Sequence, residues 1–137
     1  IEGEKLKELA KKMPAAVSYR ASLFGAIAAA KALNSVEWLD ATLKTIDENR
    51  KYLKQELDKK LPQVGYRIPD FSYLAWLDLT TFNLGEDPSA VLIEKAKVAF
   101  VPGIRFGSQS AQFVRLNFAT SPEILTEAFN RLATVLH

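Results

Sequence analysis

The sequence predicts an α+β fold: a small, mostly antiparallel sheet covered by helices, with a long helix on its N-terminal side leading into it. Three observations predict it. Up to Leu61 the apolar residues recur at helical spacing, and after Pro62 the period shortens to two. Two later segments each open on a capping residue followed by proline, Asp87-Pro88 and Ser121-Pro122. The resulting order is α, α, long α, β, β, α, β, β, α, for which a sheet with helices on one face is the economical arrangement.

Each element has its own warrant. Glu2 to Lys12 reads as a short charged helix, stopped at Met13 because the residue before Pro14 is pushed out of the α region. Ser22 to Leu33 is Ala-rich and apolar nearly all round, so it calls for burial on more than one side, against structure outside this chain. Asn34-Ser35 interrupts, with Ser35 placed to cap a long helix reaching about Leu61. Its stripe is Leu39, Leu43, Ile46, Leu53 and Leu57, interrupted by Arg50; the charged remainder reads as a solvated face. Pro62 ends it.

Val64 to Ile68 is a short strand candidate and Pro69-Asp70 a turn. Tyr73 to Leu79 is apolar on both faces, which predicts a central strand in a covered sheet. A helix runs from the Asp87 cap to about Lys97 with Val91, Leu92 and Ala96 inward. Val98 to Val101 and Phe113 to Phe118 complete the strands. The closing helix turns Leu125, Ala128, Leu132 and Val135 inward.

Composition sets the bounds. Over 137 residues, 48% are hydrophobic and 25% charged, the profile of a globular domain with a real core. A net charge of +2, spread along the chain, gives no field that argues for nucleic acid or membrane. No apolar run spans a bilayer, and residues 1–5 resemble no leader. Without an initiator Met, the chain is expected to be a processed chain or a piece of something longer. Cysteine is absent and the single histidine is His137, which excludes disulfides, thiolate chemistry, Cys/His zinc sites and a Ser-His-Asp triad. A cysteine-free chain fits the cytoplasm. No metal site is expected.

The residue that stands out is Arg115. In an alternating strand it shares a face with Phe113 and Asn117, while Val114, Leu116 and Phe118 point to the core. A guanidinium in an apolar run needs an anionic partner, because an unpaired charge out of water costs several kcal/mol or more. That partner is either an internal carboxylate or a ligand, and the face is either solvent or a site. Nearby Pro102-Gly103 and Phe106-Gly107 allow close backbone approach to a ligand, though their spacing matches no nucleotide-binding fingerprint. The plainer reading of Gly103 and Gly107 is two turn positions with positive φ. Tyr73 and Trp76 read as packing aromatics on opposite strand faces, with the Tyr73 hydroxyl the better placed for a cavity edge; Asn117 is a second such candidate. No lysine sits in a small apolar context suited to Schiff-base chemistry.

Taken together, several stretches resemble one family: Phe24-Gly25 with the Ala-rich helix, Trp38-Leu39-Asp40, Asn49-Arg50, Tyr73-Leu74-Ala75-Trp76-Leu77-Asp78, Lys97-Val98-Ala99, Pro102-Gly103 with Phe106-Gly107, and Val114-Arg115-Leu116-Asn117-Phe118-Ala119. The chain is similar to the carboxy-terminal part of fold-type I pyridoxal-phosphate enzymes, aminotransferase class I/II, in the cystathionine β-lyase-like (C–S lyase) branch. The resemblance covers nearly everything from Phe24 onward.

It implies a helical segment, 1–34, leading in from a large domain the chain lacks, then a small domain, 35–137. Arg115 would grip the substrate α-carboxylate, and the loop with Gly103, Phe106 and Gly107 would lie near the active-site entrance. The Schiff-base lysine of a Ser-x-x-Lys motif is missing, since no Ser here is followed three residues later by Lys. The resemblance therefore implies a fragment without catalytic residues, inactive alone. The intact enzyme would use pyridoxal 5′-phosphate on an amino-acid substrate, as a homodimer. Two other readings stay open: a non-enzymatic module that senses a small carboxylate, and an interaction domain docking through residues 22–33.

Overall fold

The structure is a computed structural model that describes residues 3–14 and 22–136. Glu2, where the first helix was expected to begin, and His137 lie outside the described residues. The chain divides into two compact units, Ile1–Leu39 and Asp40–His137.

The first unit holds α1 (Glu4–Lys11) and α2 (Leu23–Leu33). Helix α1 carries two exposed ion pairs, Lys7 with Glu4 at 2.8 Å and Lys11 with Glu8 at 2.6 Å. Helix α2 opens on Ser22, whose hydroxyl accepts the Gly25 amide at 3.2 Å, and closes where the Asn34 side chain donates to the Ala30 carbonyl. None of its residues is buried; Phe24 is 83% exposed and Leu33 81%.

The division falls inside α3 (Val36–Lys60). Ser35 precedes it, with its carbonyl accepting the Leu39 amide and its hydroxyl turned back to donate to the Lys31 carbonyl. The observed inward stripe is Ile46, Asn49, Leu53 and Leu57, rather than one running through Leu39, Leu43 and Arg50. Leu39 and Leu43 are exposed, and Arg50 flanks the stripe, donating to the Pro69 carbonyl at 2.8 Å and pairing with Asp47. Spacings of three and four fit both rows equally, so periodicity could not separate Asn49 from Arg50.

After Pro62 come β1 (Gly65–Tyr66) and β2 (Leu74–Asp78), then α4 (Pro88–Lys95), β3 (Val101–Pro102), β4 (Phe113–Asn117) and α5 (Pro122–Ala133). The four strands form one antiparallel sheet in the order β1-β2-β4-β3. The α+β class, the small antiparallel sheet and the long leading helix stand as read from the sequence.

Four details differ. The strand expected over residues 98–101 pairs only at Val101 and Pro102, on the sheet edge, where a proline without an N–H does no harm. Strand β2 is central but covered on one face only: Ala75 and Leu77 are buried, whereas Leu74, Trp76 and Asp78 are half-buried. The inward face of α5 is Leu125, Phe129, Leu132 and the following Leu136, with Ala128 and Val135 only partly covered. Gly103 does not have a positive φ; Gly107 does, at 133°.

The covered face assembles the core. Ala75, Leu77, Leu79, Val114, Leu116 and Phe118 from the sheet meet Leu53 and Leu57 of α3, Leu92 of α4, and Leu125, Phe129 and Leu132 of α5. The caps act as the sequence predicts. Asp87 accepts from the Ser89 and Ala90 amides and the Ser89 hydroxyl, and Ser121 accepts from the Ile124 amide.

Candidate functional site

Arg115 stands on the uncovered face of the sheet, in mid-β4. Alternation puts Val114 and Leu116 in the core and leaves Arg115 between them, pointing away from it. The residue directly across on β2 is Trp76. Trp76 packs edge-on against Phe106, ring centres 5.3 Å apart, and stacks on Phe113 at 5.7 Å. The guanidinium lies over the Phe106 ring, 5.0 Å from its centre. A cation on an aromatic face gains about 0.5–2 kcal/mol.

Its hydrogen bonding is incomplete. Arg115 Nε is buried and has no partner, and no carboxylate among the described residues pairs with this side chain. A buried donor left unpaired costs roughly 1–3 kcal/mol, and more when the group is charged. Of the two partners the sequence allowed, an internal carboxylate is therefore absent among the described residues. The geometry suits a bidentate anion, since the planar fork matches a carboxylate and aromatic rings hold it in place.

The loop after β3 brings Phe106 to this position. Residues 103–106 and 108–110 form two short 3₁₀ turns joined at Gly107. Gly103 is buried, and a Cβ there would stand 2.5 Å from the Phe113 carbonyl oxygen and closer still to that of Ser110. Absence of a side chain, not backbone freedom, is what this position demands. It sets the loop down on β4 and so places Phe106 under Arg115. Of the other candidates, Asn117 is exposed at the end of β4, its Oδ1 accepting the Ala119 amide at 2.9 Å. Tyr73 is 47% exposed, and its carbonyl accepts the Phe118 amide. Neither lines the groove on this face.

That groove, of about 630 Å³, runs along β1 and ends at Trp76 and Phe113; Tyr66, Arg67, Pro69 and Asp70 line its far side. Burial pushes the Tyr66 phenol up to about 12, partly opposed by the nearby Arg50 cation, and its hydroxyl has no partner among the described residues. Sequence reasoning took Trp76 for a packing aromatic. Strand alternation places it on an open face, but the register that sets it against Arg115 is not written in either strand alone.

No group of His, Asp or Glu among the described residues could hold a metal ion. No helix among them is long and apolar enough to cross a membrane.

The profile of the family aminotransferase class I and II matches residues 3–132. Among curated proteins, the chain is similar to a cystathionine beta-lyase of Corynebacterium glutamicum, 38% identical over 84% of this chain and 31% of that protein. It is also similar to an aspartate aminotransferase of Pyrococcus horikoshii, 32% identical over 96% of this chain and 34% of that protein. Among solved structures, cystalysin from Treponema denticola, which contains a pyridoxal 5′-phosphate cofactor, superposes with a TM-score of 0.83 at 26% identity, over 98% of this chain and 35% of cystalysin. The chain spans about a third of the length of the relatives it matches.

Proposed function

The chain belongs to the aminotransferase class I and II family, and from that premise we propose that it is the small-domain part of a pyridoxal-phosphate-dependent aminotransferase or C–S β-lyase, in which Arg115 holds the substrate α-carboxylate. The observation that carries this reading is the guanidinium itself: seated on Phe106, Nε buried and unpaired, with no protein carboxylate paired to it among the described residues. A substrate carboxylate would pair with the guanidinium and neutralise it. Arg115 would then act by binding and orienting the amino acid, not by making or breaking bonds.

The cofactor enters from the relatives, and the described residues do not fit its attachment. Every described lysine is exposed or half-buried, and none is enclosed in an apolar setting that would free its amine as a nucleophile. Pyridoxal phosphate would be held by residues other than those described. By itself the chain would be inactive. The same reading gives an intact protein that is a cytoplasmic homodimer acting on amino acids; the family resemblance supports the dimer and substrate, and the cysteine-free composition suits the compartment.

The test is Arg115→Ala in the intact enzyme. Removing a bidentate, charge-assisted contact is expected to raise the KM for the amino acid by roughly 10²-fold, with cofactor binding retained. An unchanged KM would remove Arg115 from this role.

A further inference from the structure

We propose that Asn49 is a positioning residue for Arg115: its side-chain amide ties α3 to the exit of β4 and so holds the strand in the setting that presents the guanidinium. The inference rests on the carboxylate-binding reading of Arg115 and adds to it a residue that touches no ligand.

Asn49 is 1% exposed and occupies the inward stripe of α3, one turn before Leu53, where a leucine would continue the pattern. Asparagine is a poor helix former, and burying its amide is costly unless it is bonded. Both Nδ2 protons are used, donating to the Phe118 carbonyl at 3.0 Å and to the Thr120 carbonyl at 2.7 Å. These carbonyls lie just beyond β4, where the ladder with β2 has ended and backbone acceptors need other donors. The Phe118 peptide is held from the other side as well, its amide donating to the Tyr73 carbonyl at 3.0 Å. Phe118 is fully buried and lies three residues, about 10 Å of strand, from Arg115.

A cleft of about 230 Å³ is lined by Asn49 together with Thr42, Thr45, Ile46, Ala119 and Thr120. Without the amide, water from it would reach the two carbonyls and the strand exit would be free to shift. Bidentate recognition is sensitive to such shifts, since misplacement by about 1 Å can cost as much as 10²-fold in rate.

The test uses the intact enzyme and two competitive inhibitors that differ only in the carboxylate, L-norvaline and n-butylamine. In Asn49→Ala the inhibition constant of norvaline is expected to rise about tenfold while that of butylamine changes less than about twofold, because only the first ligand uses Arg115. Arg115→Ala is measured in parallel. If Arg115→Ala abolishes the preference for norvaline and Asn49→Ala leaves it intact, the positioning role is overturned and the carboxylate reading stands. If neither substitution alters the preference, the carboxylate reading fails and this inference falls with it. Equal weakening of both ligands in Asn49→Ala marks a purely structural residue and also overturns the proposal. Should Asn49→Ala not fold, Asn49→Ser is read in the same way, and failure of both to fold assigns Asn49 to stability alone.

Discussion

Gly103→Ala isolates what the loop after β3 requires. The added methyl carbon would sit 2.5 Å from the Phe113 carbonyl oxygen and closer to that of Ser110. Even a close C–H···O contact keeps carbon and oxygen about 3.3 Å apart, so each carbonyl must retreat by about 0.8 Å or more. Neither can do so freely. Phe113 is paired with Asp78 across the sheet, and the Ser110 amide is bonded to the Gly107 carbonyl at 3.0 Å. Overpacking of this kind costs typically 1–3 kcal/mol, and two backbone obstacles at once place the expected loss near 3 kcal/mol. For a unit of this size that corresponds to a fall in Tm of roughly 12–24 °C.

Gly85→Ala is the control. It has a positive φ of 84° but nothing within 4 Å of a Cβ, so only backbone strain of about 1–2 kcal/mol applies. Thermal denaturation followed by tryptophan fluorescence suits the comparison, because Trp76 stands against both Phe106 and Phe113. A Gly103→Ala protein that unfolds within a few degrees of the parent, or is more stable than Gly85→Ala, would refute the close-packing account of this loop.

Two other perturbations read the described structure directly. Tyr66→Phe removes a buried hydroxyl without a partner, so stability is expected to rise by as much as about 1 kcal/mol in denaturant titration. Because the Tyr66 phenol is raised from 10.0 to about 12, the folded state favours its neutral form; stability from this site holds below pH 10 and declines as pH rises through 12, and the last tyrosine to ionise by ultraviolet titration should vanish in Tyr66→Phe. Asp87→Ala removes the α4 cap and should cost about 1–2 kcal/mol. The Ser89 hydroxyl first, then the Ala90 and Ser89 amides, hold the Asp87 carboxyl below the usual carboxylate range. The cap's contribution is therefore present above pH 3.8 and lost as pH falls through the lowered value; acid unfolding that is identical with and without Asp87 would contradict this.

What the sequence disclosed follows the range of the forces involved. Caps and prolines act within one turn, and Asp87-Pro88 and Ser121-Pro122 start α4 and α5 where local chemistry places them. Arg115 was legible for a related reason: alternation within one strand is enough to separate it from Val114 and Leu116. Trp76 and Asn49 were not, because their significance depends on a partner far along the chain. The β2–β4 register makes Trp76 a neighbour of Arg115, and α3 meets the end of β4 across 69 residues of sequence before Asn49 has anything to bond. β3 was misplaced on the same grounds. Its residues are strand-formers from Val98 onward, but pairing begins only at Val101, where the close approach of Gly103 to Phe113 brings the two backbones together.

The remaining departures share one direction: apolar surface expected to be covered is open. Trp76 and Leu74 leave one face of β2 half-buried, and Leu39 and Leu43 are exposed on α3; α2, whose cover was expected from outside this chain, is open as well. An apolar pattern reports burial in the whole folded protein, since leaving such surface in water forfeits about 25 cal/mol per Å². In a chain that spans about a third of its relatives' length, that pattern and the described structure need not agree. Arg115 belongs to the same set, with the sign reversed. Its orphaned Nε is an electrostatic deficit, as the open rings beside it are a hydrophobic one, and both lie on the same sheet face. A surface patch built for water would carry neither. On the proposed reading of Arg115, an amino acid would set its carboxylate on the guanidinium and lay its side chain against Trp76 and Phe113, covering both deficits at once.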